Sequence, residues 1–515
     1  MGLDDKYSPT SRGYRESLTF PGGGSLYAAL DNPAVIKGQV NDSVFDSVIW
    51  KLLKYGVSHN NGELFEPDEY MTNYLSRETA RLVHTHKGSP TSTAPWFITL
   101  AYNAVHDPMQ ALVSDYDSPE VIRATRRYTR DTYGEGGSGD PSEILLFRVH
   151  AAMILALDRG VGQVLQALRD TDQYDNTLIL FTSDNGGAAN GVKHVNKPFR
   201  GWKATFYEGG LRVPLYMKLP LALTATPMPP AEFTQRVLHL DIFKTILAVV
   251  EGIGIGTGSD TGIGSASTNT PANDSYRSYT QSQSLSPPLE YTIGNGINLI
   301  PHILDMYNNN IDHLDLNHTN TNTNTDITIN ANQRNVSMIP NPSAIPALTL
   351  PLALPLLIRP LYWKSGHYQT LIYRSYKLHL SSLEKLSVSN RIWLYNLDTD
   401  ATEQKNILDS LPSLYTYTAF ITLYNTTRDT DTFHNSNISL NQTAHSIDLL
   451  LNTMTHKEHN NDIFITKLVL HLYSMMEQFQ HSIPIPLWCS YVTVPIAIDK
   501  LKGTDCDDEL IYWTL

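Results

Sequence analysis

The chain is poor in cysteine: Cys489 and Cys506 are the two in 515 residues. Two are too few for a disulfide framework, and their spacing leaves their pairing open. It also lacks a cationic excess. Lys and Arg number 38 against 51 Asp and Glu, for a net charge of −13 and a sequence pI near 5.7. That balance argues against nucleic acid as the partner, because such binders carry a basic footprint. Long apolar runs are missing too. The most apolar stretch, 344–358, is interrupted by Pro346, Pro351 and Pro355, which argues against a membrane span. Met1-Gly2-Leu3-Asp4-Asp5-Lys6 leads into no apolar core of a signal peptide. The length predicts two or more domains with a large core.

The most informative stretch is Thr177–Pro214, TLILFTSDNGGAANGVKHVNKPFRGWKATFYEGGLRVP. Thr177–Thr182 is apolar and rich in β-formers, and reads as a buried strand of a parallel sheet. It stops at Ser183-Asp184-Asn185-Gly186-Gly187. Two oxygen-bearing side chains therefore follow the carboxyl end of a strand, where open α/β sheets place ligands. Such a pair is half a site for a hard cation such as calcium, and is equally an ordinary turn.

Taken whole, a strand, SDNGG and then RGWKxTxxEGGxRVP resembles the sulfatase family, arylsulfatase branch, within the alkaline-phosphatase-like superfamily. The resemblance implies calcium binding by Asp184 and Asn185, and a hold on a sulfate oxygen by Lys203. Arg200 adds positive field or is simply a surface residue. A second match lies upstream. Pro95–Tyr102 reads as another buried strand, followed by Asn103-Ala104-Val105-His106-Asp107-Pro108. It resembles the family's PFFLxLAxxxxH, which implies a sulfate contact for His106. An imidazole and an ammonium at strand ends stabilise charge developing on sulfate oxygens.

Further segments follow the same pattern. Pro9–Tyr14 and Gly22–Tyr27 resemble PTxRGFxxxxGxxxGxxxYY. Tyr70–Val83 resembles YxTDxxxxxAxxFI, with Ser76 as its expected N-cap. Leu145–Asp170 has helical periodicity through Met153, Leu157, Val161, Val164, Leu165 and Leu168, a core face. Leu215–Lys218 reads as a strand, and Val237–Leu247 resembles the VxHxDLxPTLL helix, with Asp241 as cap or anchor. Residues 252–343 are rich in Gly, Ser, Thr and Asn, and this composition predicts a mostly disordered insertion. Sequons at Asn273, Asn317, Asn335, Asn425, Asn437 and Asn441 are weak signs of glycosylation. Tyr368–Leu378 and Ile392–Asn406 resemble AxRxGxYKL…LYNLxxDPxExxNL, two strands of a small antiparallel sheet. Residues 486–499 and 507–513 resemble a sulfatase tail.

The family's nucleophile motif, CxPxR, is not in the sequence. Ser8-Pro9-Thr10-Ser11-Arg12 has its composition in the wrong register. The segment at Met1-Gly2 aligns with the end of the family's GKWHLG motif, so the sequence is expected to begin just downstream of it. The expected fold is α/β: a truncated alkaline-phosphatase-like sandwich with a mostly parallel central sheet and a small C-terminal antiparallel sheet. Expected domains are 1–250, an insertion at 251–350, and 351–515. The resemblance implies a sulfuric ester hydrolase acting on a small sulfate ester or sulfated glycan, with calcium and a formylglycine nucleophile whose residue this chain does not hold. A non-catalytic sulfatase-like binding protein and a phosphoesterase of the superfamily are the alternatives. A secreted or lysosome-like compartment is expected for the full-length family member. Oligomeric state and substrate stay open.

Overall fold

A computed structural model of the chain describes residues 8–20, 25–38, 54–87, 94–188, 192, 195–224, 227–251, 296–306, 359–365, 368–382, 390–411, 443, 446, 448, 462–482, 493–497 and 510–514. The chain divides into two compact units. One is Met1–Ala222 with Asp499–Cys506, and the other is Leu223–Ile498 with Asp507–Leu515. Most of the expected insertion, both cysteines and all six sequon asparagines lie outside the described residues.

In the first unit the elements are β1 (Leu18–Thr19), β2 (Val35–Gly38), β3 (Val57–His59), β4 (Leu64–Phe65), α1 (Met71–Lys87), β5 (Met109–Leu112), α2 (Val113–Tyr116), α3 (Pro119–Tyr133), α4 (Pro141–Asp170), β6 (Ile179–Thr182), α5 (Glu208–Leu211) and β7 (Leu215–Lys218). Its core joins Tyr27, Val57, Tyr70, Met71 and Leu75 to Met109, Ala111, Leu146, Val149, Ala152, Met153 and Ala156. Burying a Leu or Met side chain fully contributes about 1.5–3 kcal/mol, so this cluster is the unit's main stabilising term.

The long helix α4 starts four residues earlier than its periodicity predicted. Asp140 caps it by accepting from Ser142 N, and Pro141 sits in the first turn, where the missing N–H costs nothing. Of the residues expected on its core face, Met153 and Leu168 are buried, while Leu157, Val161, Val164 and Leu165 are only partly covered; Leu146, Val149, Ala152, Ala156, Gly160 and Ala167 complete the buried stripe. The small residues let α1 approach. A Cβ at Gly160 would stand 2.3 Å from Ser76 Oγ. Ser76 is therefore no N-cap. It lies inside α1, buried, and its hydroxyl meets Thr72 O and the Tyr102 hydroxyl, both at 2.7 Å. A serine within a helix satisfies its hydroxyl on the carbonyl four residues back.

The strand pairing differs from expectation. Every ladder among the described residues is antiparallel. β6 pairs with β7, Ile179 opposite Lys218 and Thr182 opposite Leu215, and it is half-buried with Phe181 exposed. The expected parallel neighbours are not among the described ladders. Pro95–Tyr102 is no strand: it is extended, with alternate residues exposed and Phe97 58% accessible. Alternation follows from period two, with Trp96 and Ile98 turned toward Ala80, Val83 and Leu168. An extended segment becomes a strand only when a second backbone lines up beside it.

The second unit contains α6 (His239–Glu251), β8 (Leu361–Ser365), β9 (Tyr368–Tyr373), β10 (Tyr376–Ser382), β11 (Asn390–Asn396), α7 (Asp462–Ser482), β12 (Thr493–Ala497) and β13 (Leu510–Thr514). The expected small antiparallel sheet is four-stranded, in order β11-β10-β9-β8. One face, with Leu371, Tyr373, Leu378, Leu380, Ile392 and Leu394, packs on Phe464, Leu468, Val469, Leu472 and Met476 of α7. The other face carries Tyr368, Thr370, Lys377 and His379, also buried. Asp241 is the anchor expected of it. Fully buried, it accepts from Leu238 N and Ile297 N at 2.7 and 2.9 Å and pairs with both terminal nitrogens of Arg359.

Candidate active site

The site loop follows β6. Two segments hold Ser183–Gly187 through main-chain bonds: Gly186 N donates to Gly210 O at 3.0 Å, and Lys203 N to Gly187 O at 3.1 Å. The two segments are joined to each other, Gly209 N donating to Arg200 O at 2.7 Å. These contacts explain the glycines of SDNGG and EGG. A Cβ at Gly186 would lie 1.8 Å from Gly209 O, and one at Gly209 would lie 2.4 Å from Gly201 O. The backbones approach closer than any side chain permits. Asn196 completes the lock. Its Oδ1 accepts from Gly187 N at 2.8 Å, and its Nδ2 donates to Gly187 O and Gly201 O at 2.9 and 3.2 Å. Asn196 was not singled out in the sequence, where nothing separates it from the neighbouring asparagines.

Lys203 is carried by this locked turn, and its side chain meets His106. Lys203 Nζ and His106 Nε2 are 2.7 Å apart. The other ring nitrogen, Nδ1, faces Asp107 O at 2.7 Å. A carbonyl only accepts, so Nδ1 carries the proton and Nε2 receives one from the ammonium. His106 is exposed and Lys203 partly so, so both are within reach of a dissolved anion.

The His106 loop is set from beneath by a residue the sequence did not flag. Tyr27 is fully buried, and its hydroxyl donates toward Asn103 O at 2.6 Å and His106 O at 2.9 Å. Burial, and then the neighbouring Tyr70, push this hydroxyl well above the ordinary tyrosine range, so it stays a donor. Tyr27 is held in turn by Gln110, whose Oε1 accepts from Tyr27 N at 2.7 Å and Ala28 N at 3.3 Å. The signal for Tyr27 was its place in the matched Gly22–Tyr27 segment; Gln110 carried none.

Asp184 is exposed and Asn185 partly buried, and the Asn185 amide donates to the Asp184 carboxylate. They lie three and two residues before Gly187, the acceptor of Lys203 N. Their chemistry fits calcium, which takes carboxylate and amide oxygens, but two residues are a fraction of its six to eight ligands. Among the described residues no group of three His, Cys, Asp or Glu comes together to hold a metal ion.

A unit of helices and short β-ladders, with a glycine-locked loop offering an ammonium and an imidazole to solvent, has the makings of a site for a small oxyanion. The comparisons sharpen that class. Residues 10–253, a little under half of the chain, match the sulfatase family. It is 27% identical to mouse arylsulfatase J over 248 residues, 47% of this chain and 34% of that protein. It is 37% identical to a sulfatase of Formosa agariphila over 167 residues, 30% of this chain and 26% of that one. An uncharacterized sulfatase of Escherichia coli, YdeN, is 25% identical over 246 residues, 47% of this chain and 34% of its own length. The matches thus span about a quarter to a third of these relatives. Among solved structures, Ps i-CgsB aligns with a TM-score of 0.46 and 21% identity over 90% of this chain and 76% of that one.

Proposed function

We propose that this chain carries the sulfate-gripping part of a sulfuric ester hydrolase of arylsulfatase type. The observation that carries the reading is the contact between Lys203 Nζ and His106 Nε2 at 2.7 Å, within a stretch that matches the sulfatase family. In this reading the Lys203 ammonium donates to a sulfate oxygen as the ester binds. His106 keeps Nδ1 toward Asp107 O and turns its Nε2 edge, beside the Lys203 ammonium, toward the same anion. Positive groups preset around a tetrahedral anion lower the cost of charge developing on its oxygens. Asp184 and Asn185 would supply two of the oxygens of a calcium ion, whose charge would add to that field. The family's formylglycine would supply the attack on sulfur.

No CxPxR pattern occurs in the sequence, which favours a second reading for these 515 residues taken alone: binding without turnover. One experiment tests both. Inorganic sulfate is titrated into the full chain with calcium present, followed by calorimetry, alongside hydrolysis of an aryl sulfate. Saturable sulfate binding that Lys203→Met weakens about ten- to hundredfold, without hydrolysis, is the expected result. Absence of sulfate binding overturns the site. Metal-dependent hydrolysis by the pure chain overturns the binding-only reading. Tighter binding of inorganic phosphate than of sulfate would shift the assignment to a phosphoesterase.

A further inference from the structure

Helix α3, Pro119–Tyr133, carries four arginines in eight positions, Arg123, Arg126, Arg127 and Arg130. At about 100° per residue they fall on one stripe, centred opposite the face formed by Val121, Thr125 and Tyr128. That inner face is occupied: Val121 and Thr125 are buried, and Tyr128 stacks on Phe147 with ring centroids 3.9 Å apart. The arginines face water. Arg123, Arg127 and Arg130 are 66%, 79% and 55% accessible, and Arg126 is exposed. Two carboxylates share the helix surface with them. Glu120 takes Arg123 at 2.9 Å, and Asp131 takes Arg130 at 3.0 Å and Arg127 at 3.5 Å. Among the described residues Arg126 has no ion-pair partner. The stripe thus keeps a surplus of positive charge in a chain whose net charge is −13.

We propose that this stripe is a docking surface for a sulfated polysaccharide, separate from the His106 and Lys203 site. Charge complementarity is the argument. An acidic chain repels a polyanion over most of its surface, so a local cationic stripe decides where one settles. From Arg123 to Arg130 the helix rises about 10 Å, enough to meet successive anionic groups of a polymer and more than a single sulfate spans. Guanidinium forks suit the oxygens of sulfate. Single-stranded nucleic acid is the poorer fit because its binders add aromatic stacking platforms. Here Tyr128 is engaged with Phe147, and Tyr133 bonds to Glu143. That the polymer is sulfated rests on the proposed function; that the stripe takes a polyanion does not.

The test is retention of the full chain on immobilised dextran sulfate in a salt gradient. The comparison is with a variant carrying Arg123→Gln, Arg126→Gln, Arg127→Gln and Arg130→Gln, and with Lys203→Met. Glutamine keeps helix propensity, and helical circular dichroism checks the fold. The expected result is salt-dependent retention of the native chain, affinity about tenfold or more weaker in the four-arginine variant, and a smaller loss with Lys203→Met. Passage of the native chain unretained at low salt overturns the proposal, as does equal retention of the four-arginine variant. Loss of retention by Lys203→Met alone places the polymer at the other site and overturns it too. Tighter binding of single-stranded DNA than of dextran sulfate at matched salt overturns the choice of polymer. Sulfate binding at Lys203 is read separately, so failure there leaves this result interpretable.

Discussion

Lys203 Nζ and His106 Nε2 meet at 2.7 Å although 97 positions separate them in the chain. Two routes bring them there: the glycine-locked turn after β6, and the loop held by Tyr27. With Nδ1 committed to Asp107 O, the imidazole lone pair and the ammonium form one polar patch. Replacing Lys203 by Met keeps the stem and deletes the donor. A charge-assisted hydrogen bond contributes about 1.5–3 kcal/mol, so inorganic sulfate is expected to bind about ten- to hundredfold more weakly. Calorimetric titration measures it, and an unchanged dissociation constant would remove Lys203 from the site.

Gly209 tests whether the turn itself makes the site. A Cβ there would stand 2.4 Å from Gly201 O and 2.6 Å from Arg200 O. Both are backbone atoms, which cannot rotate aside. Gly209→Ala must push the RGWK turn away and break the Gly209 N bond to Arg200 O. The expected cost is about 1–3 kcal/mol by analogy with overpacking, together with loss of sulfate affinity. Urea unfolding and the same titration read both. A variant as stable as the parent, with intact affinity, contradicts the role given to this glycine.

These two residues also mark how far the sequence could be read. The EGG and SDNGG glycines and Lys203 stood out by their resemblance to a family pattern, and the close backbone approach at Gly186, Gly209 and Gly210 gives its glycines a physical cause. The helices were legible because period 3.6 survives in α1, α4 and α6. Pairing partners were not legible. Thr177–Thr182 and Pro95–Tyr102 look alike as apolar β-rich runs, yet one forms an antiparallel ladder with Leu215–Lys218 and the other none. Local composition fixes an extended backbone, while the ladder depends on what lies beside it. Asn196 and Gln110 were invisible for a related reason: their value lies in backbone groups that only the folded chain brings within 3 Å.

His150, on α4, gives the first unit a pH dependence. Burial pushes its imidazole down from 6.5 to about 4. In the unfolded chain it protonates near 6.5, so between the two values the unfolded state holds more protons and gains on the folded one. Its contribution is complete above about 6.5 and is lost progressively as pH falls toward about 4, by at most about 3 kcal/mol. His150→Gln removes this titration. Urea unfolding at neutral pH and near pH 4.5 is expected to show a smaller acid loss in the variant than in the parent. Equal losses would mean that His150 is solvated in the folded chain.

Lys377 in the second unit poses a question of buried charge. Its ammonium lies 3.0 Å from Glu403 Oε1, and neither side chain has any exposure. The same oxygen meets His379 Nε2 at 3.0 Å, and His379 Nδ1 meets the Tyr368 hydroxyl at 2.7 Å. Desolvating two ions costs several kcal/mol each, so the pair by itself adds little net stability. Removing one partner is a different matter, because the other stays buried with its charge. Lys377→Met is therefore expected to destabilise the unit by about 3–5 kcal/mol, and adding Glu403→Gln to recover much of that loss. A double-mutant cycle in urea isolates the coupling. If Lys377→Met alone were as stable as the parent, the His379 contact to Glu403 Oε1 would be partner enough for this group, and the ion pair with Lys377 would not be what holds it.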